Sequence, residues 1–248
     1  MYKSLTIILL FIASLAQAQK KPLDHKAYDS WESIATKQIS DNGLWTAYNI
    51  AQQEGDAKQY FNNMSTNQKV VVPRGTGVKF SADSKFAGLI IKPLYQETRT
   101  AKIKKKKADE MPKDSLGYVN LTTGAITKIA RVKSFKMPEL GTALLAYHLE
   151  KVDSAKKATP GATPVSPATK KDQMDFLFAD DEPTGSSKKT EGTDLIFKNL
   201  ITGTTRTFKY VTDYSFSKNG KQLIYAASGS TKDKAAPSGV FVYNTEKG

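Results

Sequence analysis

The sequence predicts an all-β fold: a partial β-propeller of about three to four four-stranded antiparallel blades, interrupted by two irregular insertions. Two recurring turns and their spacing carry this expectation. An apolar residue, a polar turn and a core-entering strand occur together at Ile39-Ser40-Asp41-Asn42-Gly43-Leu44-Trp45 and at Phe80-Ser81-Ala82-Asp83-Ser84-Lys85-Phe86. The clearest copy is Tyr214-Ser215-Phe216-Ser217-Lys218-Asn219-Gly220-Lys221-Gln222-Leu223, and Phe135 to Tyr147 is a degenerate one. A second turn, Asn120-Leu121-Thr122-Thr123-Gly124, returns as Asn199-Leu200-Ile201-Thr202-Gly203 and Asn244-Thr245-Glu246-Lys247-Gly248, and more loosely as Asn63-Met64-Ser65-Thr66-Asn67. There Asn closes an apolar strand, and Gly or Asn stands where a tight hairpin needs positive φ. Successive Asn positions lie 57, 79 and 45 residues apart; the last interval matches the roughly 40–50 residues of one blade.

The elements follow in order. Tyr28, Trp31 and Ile34 are spaced so that one short helical turn would dock all three on the core as packing anchors. Leu44 to Ile50 alternates as a strand, Gln53-Glu54-Gly55-Asp56 is a turn, and Gln59 to Met64 is the returning strand. After Ser65-Thr66-Asn67, Lys69 to Val72 runs outward to Pro73. The longer repeat intervals hold the insertions. Residues 92–116 contain Lys102 and the run Lys104 to Lys107, while 150–193 is rich in Lys, Thr, Pro, Ser and Asp. Pro160, Pro164, Pro167 and Pro183 make the second insertion a poor candidate for regular structure, with only Phe176-Leu177-Phe178 suited to dock. The last blade begins at Phe216, has strands over Gln222 to Ala226 and Gly239 to Tyr243, and stops at a hairpin turn. Because propellers avoid open edges by closing their ring, the expectation is the first blades of a larger protein.

Lys3, the apolar run Leu5 to Leu15 and the small-residue exit Ala16-Gln17-Ala18 read as a secretory signal peptide over residues 1–18, leaving 19–248 as the propeller domain. An exported, periplasmic or extracellular protein is expected, with no membrane span once the signal is removed. Cysteine is absent, which excludes disulfide stapling and thiol chemistry. The formal net charge of +13 admits anionic partners, but five of the lysines fall together in the first insertion, the pattern of a solvated excursion.

The apolar-Ser-x-Asp/Asn-Gly/Ser-Lys turn resembles the propeller blades of prolyl oligopeptidase-family (S9) serine peptidases and of periplasmic TolB-type propellers. The entry Leu23-Asp24-His25 to Trp31-Glu32-Ser33-Ile34, followed by Ile39 to Gly43 and Gln53 to Asp56, is similar to the start of exported peptidases of that family from Bacteroidota. The resemblance covers the mature chain apart from its insertions. It implies a propeller standing over an α/β-hydrolase domain, downstream in the parent protein, and filtering peptide substrates on their way to a Ser, Asp, His triad. The family's exopeptidases also hold a substrate amino terminus with acidic propeller residues, but none of those matches a motif here.

No catalytic, cofactor-binding or metal-ligating residue is assigned. Neither Ser187, after Gly185-Ser186, nor Ser230, after Gly229, sits in a G-x-S-x-G elbow. His25 and His148 are the only histidines, which leaves a His-based triad or a zinc site almost nothing to draw on, and each is better read as a surface or strand residue. Asp180-Asp181-Glu182 lacks calcium-loop spacing, and Gly75-Thr76-Gly77 lacks the third glycine of a dinucleotide fingerprint. Asn63-Met64-Ser65 and Asn120-Leu121-Thr122 fit a glycosylation pattern, yet turn chemistry already explains them. The lysine run lacks interleaved aromatics, so no nucleic-acid partner is expected. Three functions remain: the gating propeller of an exported serine peptidase, inert alone; a TolB-like binding or scaffold protein of the envelope; and adhesion to an anionic surface through Lys102 to Lys107.

Overall fold

Strand pairing gives three antiparallel sheets, two of four strands and one of six, each ordered as its strands occur in the sequence; the six-stranded sheet comprises a third blade and part of a fourth, joined through one long strand. The computed structural model describes residues 28, 30–151, 191–230 and 233–247. Residues 1–18, expected to be a signal peptide, together with His25 and most of the second insertion, including Phe176 to Phe178 and Asp180 to Glu182, lie outside them. Blade I is β1 (Glu32–Ile39), β2 (Trp45–Gln52), β3 (Lys58–Asn63) and β4 (Lys69–Pro73); blade II is β5 (Gly75–Phe80), β6 (Phe86–Ile91), β7 (Ser115–Asn120) and β8 (Ile126–Ala130). Blade III takes β9 (Val132–Lys136), β10 (Leu144–Leu149), β11 (Thr193–Asn199) and the first half of β12 (Thr205–Phe216). The second half of β12 opens blade IV with β13 (Gln222–Ser228) and β14 (Ser238–Asn244).

Both recurring turns form by the same local chemistry each time. Ser40, Ser81 and Ser217 accept the amide of the residue five further on, Trp45, Phe86 and Gln222, at 3.0 Å. Their hydroxyls donate to Asn42, Asp83 and Asn219 at 2.6–2.8 Å, and Gly43, Ser84 and Gly220 take the left-handed conformation that closes the turn. In the turns that follow strand 3, the Oδ1 atoms of Asn63, Asn120, Asn199 and Asn244 each accept two backbone amides at 2.9–3.2 Å. Asn67, Gly124 and Gly203 supply the left-handed residue there. Blade III lacks the Ser turn and passes through Pro138 to Gly141 instead.

A third recurrence links the blades. Arg74, Arg131 and Tyr210, each left-handed with φ near +60°, stand at the crossings from strand 4 of one blade to strand 1 of the next, at the same interval after Asn63, Asn120 and Asn199. Strand 1 of each blade also pairs irregularly with strand 2: at Ile34/Thr36, at Thr76/Lys79, opposite His148/Leu149 and at Val211/Asp213. Such bulges bend a strand and add twist, which lets the innermost strand curve around the axis.

Period-two alternation then builds one apolar core between each neighbouring pair of blades. Trp45, Ala47, Phe61, Val70 and Val72 of blade I pack on Val78, Leu89 and Val119 of blade II. Phe86 and Leu116 meet Val132, Leu145 and Tyr147 between II and III; Leu144, Leu195 and Phe197 meet Val211, Tyr214 and Leu223 between III and IV. The two end faces remain exposed. Ile34 and Ile39 show 65% and 67% of their surface on blade I, and Val240 and Val242 show 72% and 61% on blade IV.

Two sequence expectations are corrected. Ile34 belongs to β1, and Trp31 and Ile34 are exposed, so the Tyr28–Trp31–Ile34 spacing does not mark a helical turn docked on the core. Tyr28 and Trp31 contact one another edge-on at 4.9 Å. The first insertion is not irregular: it forms helix α1 (Tyr95–Ile103) and a 3-10 turn (Ala108–Glu110). Asp56 Oδ1 accepts the Tyr95 amide at 2.9 Å and Arg99 pairs with Glu54 at 2.7 Å, so the helix is tethered to the β2–β3 hairpin of blade I. Its lysines gather at its C-terminal end, where cations offset the helix dipole.

Candidate functional site

Antiparallel up-and-down strands place the connections on two opposite faces. All Ser and Asn turns lie on one, the motif face. The β2–β3-type loops and the strand 4 to strand 1 crossings lie on the other, the loop face. A cleft of about 710 Å³ opens at the axis on the motif face, lined by the ends of strand 1 in all four blades and by the turns that follow in blades I, III and IV. Ile39, Phe80, Met137 and Phe216 form its apolar wall, with Lys79, Lys136 and Lys218 set against Asp41 and Glu139. The volume falls within the range of roughly 300–1,000 Å³ usual for small-ligand sites.

Polar groups around this mouth serve the blade III–IV seam. Lys136 Nζ donates to the Tyr214 carbonyl, lies 4.9 Å from the Tyr214 ring centroid and approaches Asp213 at 3.9 Å. Ser134 Oγ and Tyr214 Oη are 3.1 Å apart. Burial, with a smaller contribution from the Asp213 charge, pushes the Tyr214 phenol up to about 12 against the Ser134 hydrogen bond. Lys218 and Glu139 form an exposed pair at 3.6 Å.

These contacts position backbone and rings and do not prepare a nucleophile. Ser217 spends its hydroxyl in the turn, donating to Asn219 and accepting Gln222 N–H. Ser230 donates to Glu191 at 2.7 Å, a link between blades III and IV on the loop face. His148, 4% exposed, directs Nε2 to the Val211 carbonyl and the Thr193 hydroxyl, both at 2.8 Å. Burial holds its pKa below the ordinary histidine value, aided by Lys133 and opposed by its hydrogen bonds and Asp213. Ser187 and His25 lie outside the described residues. Gly75, Thr76 and Gly77 are part of β5 and form no loop to cradle phosphate. Among the described residues, no group of three or more His, Asp or Glu side chains is placed to hold a metal ion, and no helix is long and apolar enough to cross a membrane.

The loop face is knit by ionic contacts instead. Besides Arg99–Glu54, Lys113 approaches Glu150 at 3.9 Å and Lys151 approaches Glu191 at 3.5 Å. A smaller crevice of about 330 Å³ lies between the blade I hairpin and the first insertion, beside the Lys92–Asp114 pair at 2.6 Å. Sequence reasoning placed the turns but missed the axial mouth, because its lining is assembled from four segments far apart in the chain. The one available signal was the apolar residue preceding each Ser turn.

No protein-family model matches the chain, and no curated protein matches it. Solved structures similar to it include the acylaminoacyl peptidase of Pyrococcus horikoshii, with TM-score 0.43 and 10% identity over 90% of this chain and 32% of that one. The β-propeller domain of the trilobed protease from Pyrococcus furiosus matches with TM-score 0.46 and 9% identity, covering 88% and 56%. TolB from Acinetobacter baumannii matches with TM-score 0.35 and 9% identity, covering 88% and 42%. The chain thus spans about a third to just over half the length of these proteins. The blades are defined by their own strand pairing, and at these identities the likeness extends to shape alone.

Proposed function

We propose that this chain is the propeller portion of an exported serine peptidase of prolyl oligopeptidase type, controlling access to a separate α/β-hydrolase domain. The observation that supports this most is the division of the molecule into two faces around an axial cleft. Strand 1 of every blade starts at the loop face, and strand 4 of blades I to III ends there. A domain joined by a short linker before a strand 1 or after a strand 4 therefore meets the loop face. Peptides would then enter through the axial mouth on the motif face. The apolar leader at residues 5–15 supports export, and the Ser and Asn turns support the family resemblance.

The experiment compares the parent polypeptide, the chain by itself and the parent lacking residues 19–248, using a proline-containing reporter peptide and a longer version of it. The parent is expected to cleave the short reporter in preference to the long one, the chain by itself to be inert, and the deletion to lose the size preference. Turnover by the chain alone would refute the proposal, as would a coding region with no hydrolase frame. A chain that closes a ring by itself and binds one defined envelope component would favour the TolB-type reading.

A further inference from the structure

Asn49 and His148 occupy the same position in two blades. Each lies four residues after the strand 2 residue that pairs with the hairpin Asn, Trp45 opposite Asn63 and Leu144 opposite Asn199. Each is buried, at 3% and 4% exposure. Each reaches across the seam to the carbonyl of the residue just past the left-handed crossing: Asn49 Nδ2 to Gly75 O at 2.6 Å, and His148 Nε2 to Val211 O at 2.8 Å. Blade II has Ile90 at this position, a side chain with no polar group to make the equivalent hydrogen bond to blade III. We infer that this position is an inter-blade latch, and that His148 makes the III–IV latch responsive to pH while the positionally equivalent I–II latch at Asn49 is not.

The hydrogen-bond geometry fixes the neutral ring. The Thr193 hydroxyl donates to Leu149 O at 2.6 Å, so toward His148 it offers a lone pair, as does Val211 O. Nε2 therefore carries the proton and Nδ1 is bare. A second proton puts a full charge on a side chain almost removed from water. The groups around it are mixed: Lys133 from β9 repels that charge, Asp213 from β12 attracts it, and the Tyr214 ring meets the imidazole edge-on at 5.9 Å, with Thr193 from β11 at Nε2. Ladder irregularities at His148/Leu149, Thr193/Leu195 and Val211/Asp213 converge on this point, so few regular strand bonds oppose local opening.

A folded value below the unfolded one means that the closed seam is fully favoured above about pH 6.5 and loses stability as pH falls from there through the folded value. Opening hydrates the charged ring. The test is hydrogen exchange on the full chain from about pH 8 to about pH 5. It follows the ratio of opening at Val211 to Phe216 to opening at β5, the equivalent strand beside Asn49, which corrects for the intrinsic pH dependence of exchange. That ratio is expected to rise by up to about tenfold per pH unit below about 6.5. His148→Asn, which copies blade I, is expected to flatten it. A ratio that stays constant in the unaltered chain overturns the inference, as does a slope that survives in His148→Asn. If the variant does not fold, the ratio in the unaltered chain decides alone.

Discussion

The motif face and the loop face are built by different physics. On the motif face, the same short polar turns recur, each satisfied within itself by a Ser or Asn side chain and a left-handed residue. Adjacent turns also touch: Asn42 N–H donates to Ser84 Oγ at 3.2 Å, and Leu140 N–H donates to the Lys218 carbonyl at 2.9 Å. On the loop face the strand 4 to strand 1 crossings recur, but the loops joining strands 2 and 3 differ from blade to blade. In blade I the loop is a short hairpin, in blade II a helix-bearing insertion and in blade III a longer insertion, with ion pairs linking the first to the second (Arg99–Glu54) and the second to the third (Lys113–Glu150). Self-satisfied turns need no partner and can repeat unchanged, whereas loops that depend on neighbours are free to differ. Variation concentrated on one rigidly supported face is how scaffolds carry binding function.

The sharpest stability contrast is expected from pH. Because the Tyr214 phenol is pushed up to about 12 in the fold and titrates near 10 when unfolded, its contribution is complete below about pH 10 and is lost as pH rises from there through 12. The loss is on the order of 2 kcal/mol, measurable as a falling urea midpoint between pH 9 and 12 (approximate limits) that Tyr214→Phe makes shallower. A smaller effect is expected at a single motif turn. Asn120→Ala strands the amides of Thr122 and Thr123 and should cost about 1 kcal/mol, read from urea unfolding. The smallest belongs to the loop face: the Arg99–Glu54 pair is about half exposed on both sides, so Arg99→Ala should cost under about 1 kcal/mol and salt should hide it. A loop-face cost exceeding the Asn120→Ala cost would break the comparison.

Legibility in the sequence follows the same division. The Ser turns, the Asn hairpins and the strands between them could be read because their chemistry closes within about five residues. The blade crossings could not: Arg74, Arg131 and Tyr210 adopt a glycine-like conformation without being glycine, and β12 runs through its crossing with no break. Helix α1 was hidden by its lysines, which resemble a solvated loop until the helix end beneath them is seen. The spacing of Tyr28, Trp31 and Ile34 suits a helix, yet Ile34 entered β1, because strand pairing with Ile50 outweighs a three-residue periodicity. The latch could not be read from the sequence, since Asn49 and His148 become equivalent only once the register to Asn63 and Asn199 is known.

Cross-linking of lysines in the parent polypeptide tests the two-faced account most directly. If the proposed hydrolase domain docks on the loop face, its cross-links fall on Lys102, Lys113 and Lys151 and avoid Lys85, Lys218 and Lys221 of the motif face. Cross-links concentrated on Lys85, Lys218 and Lys221 would contradict it.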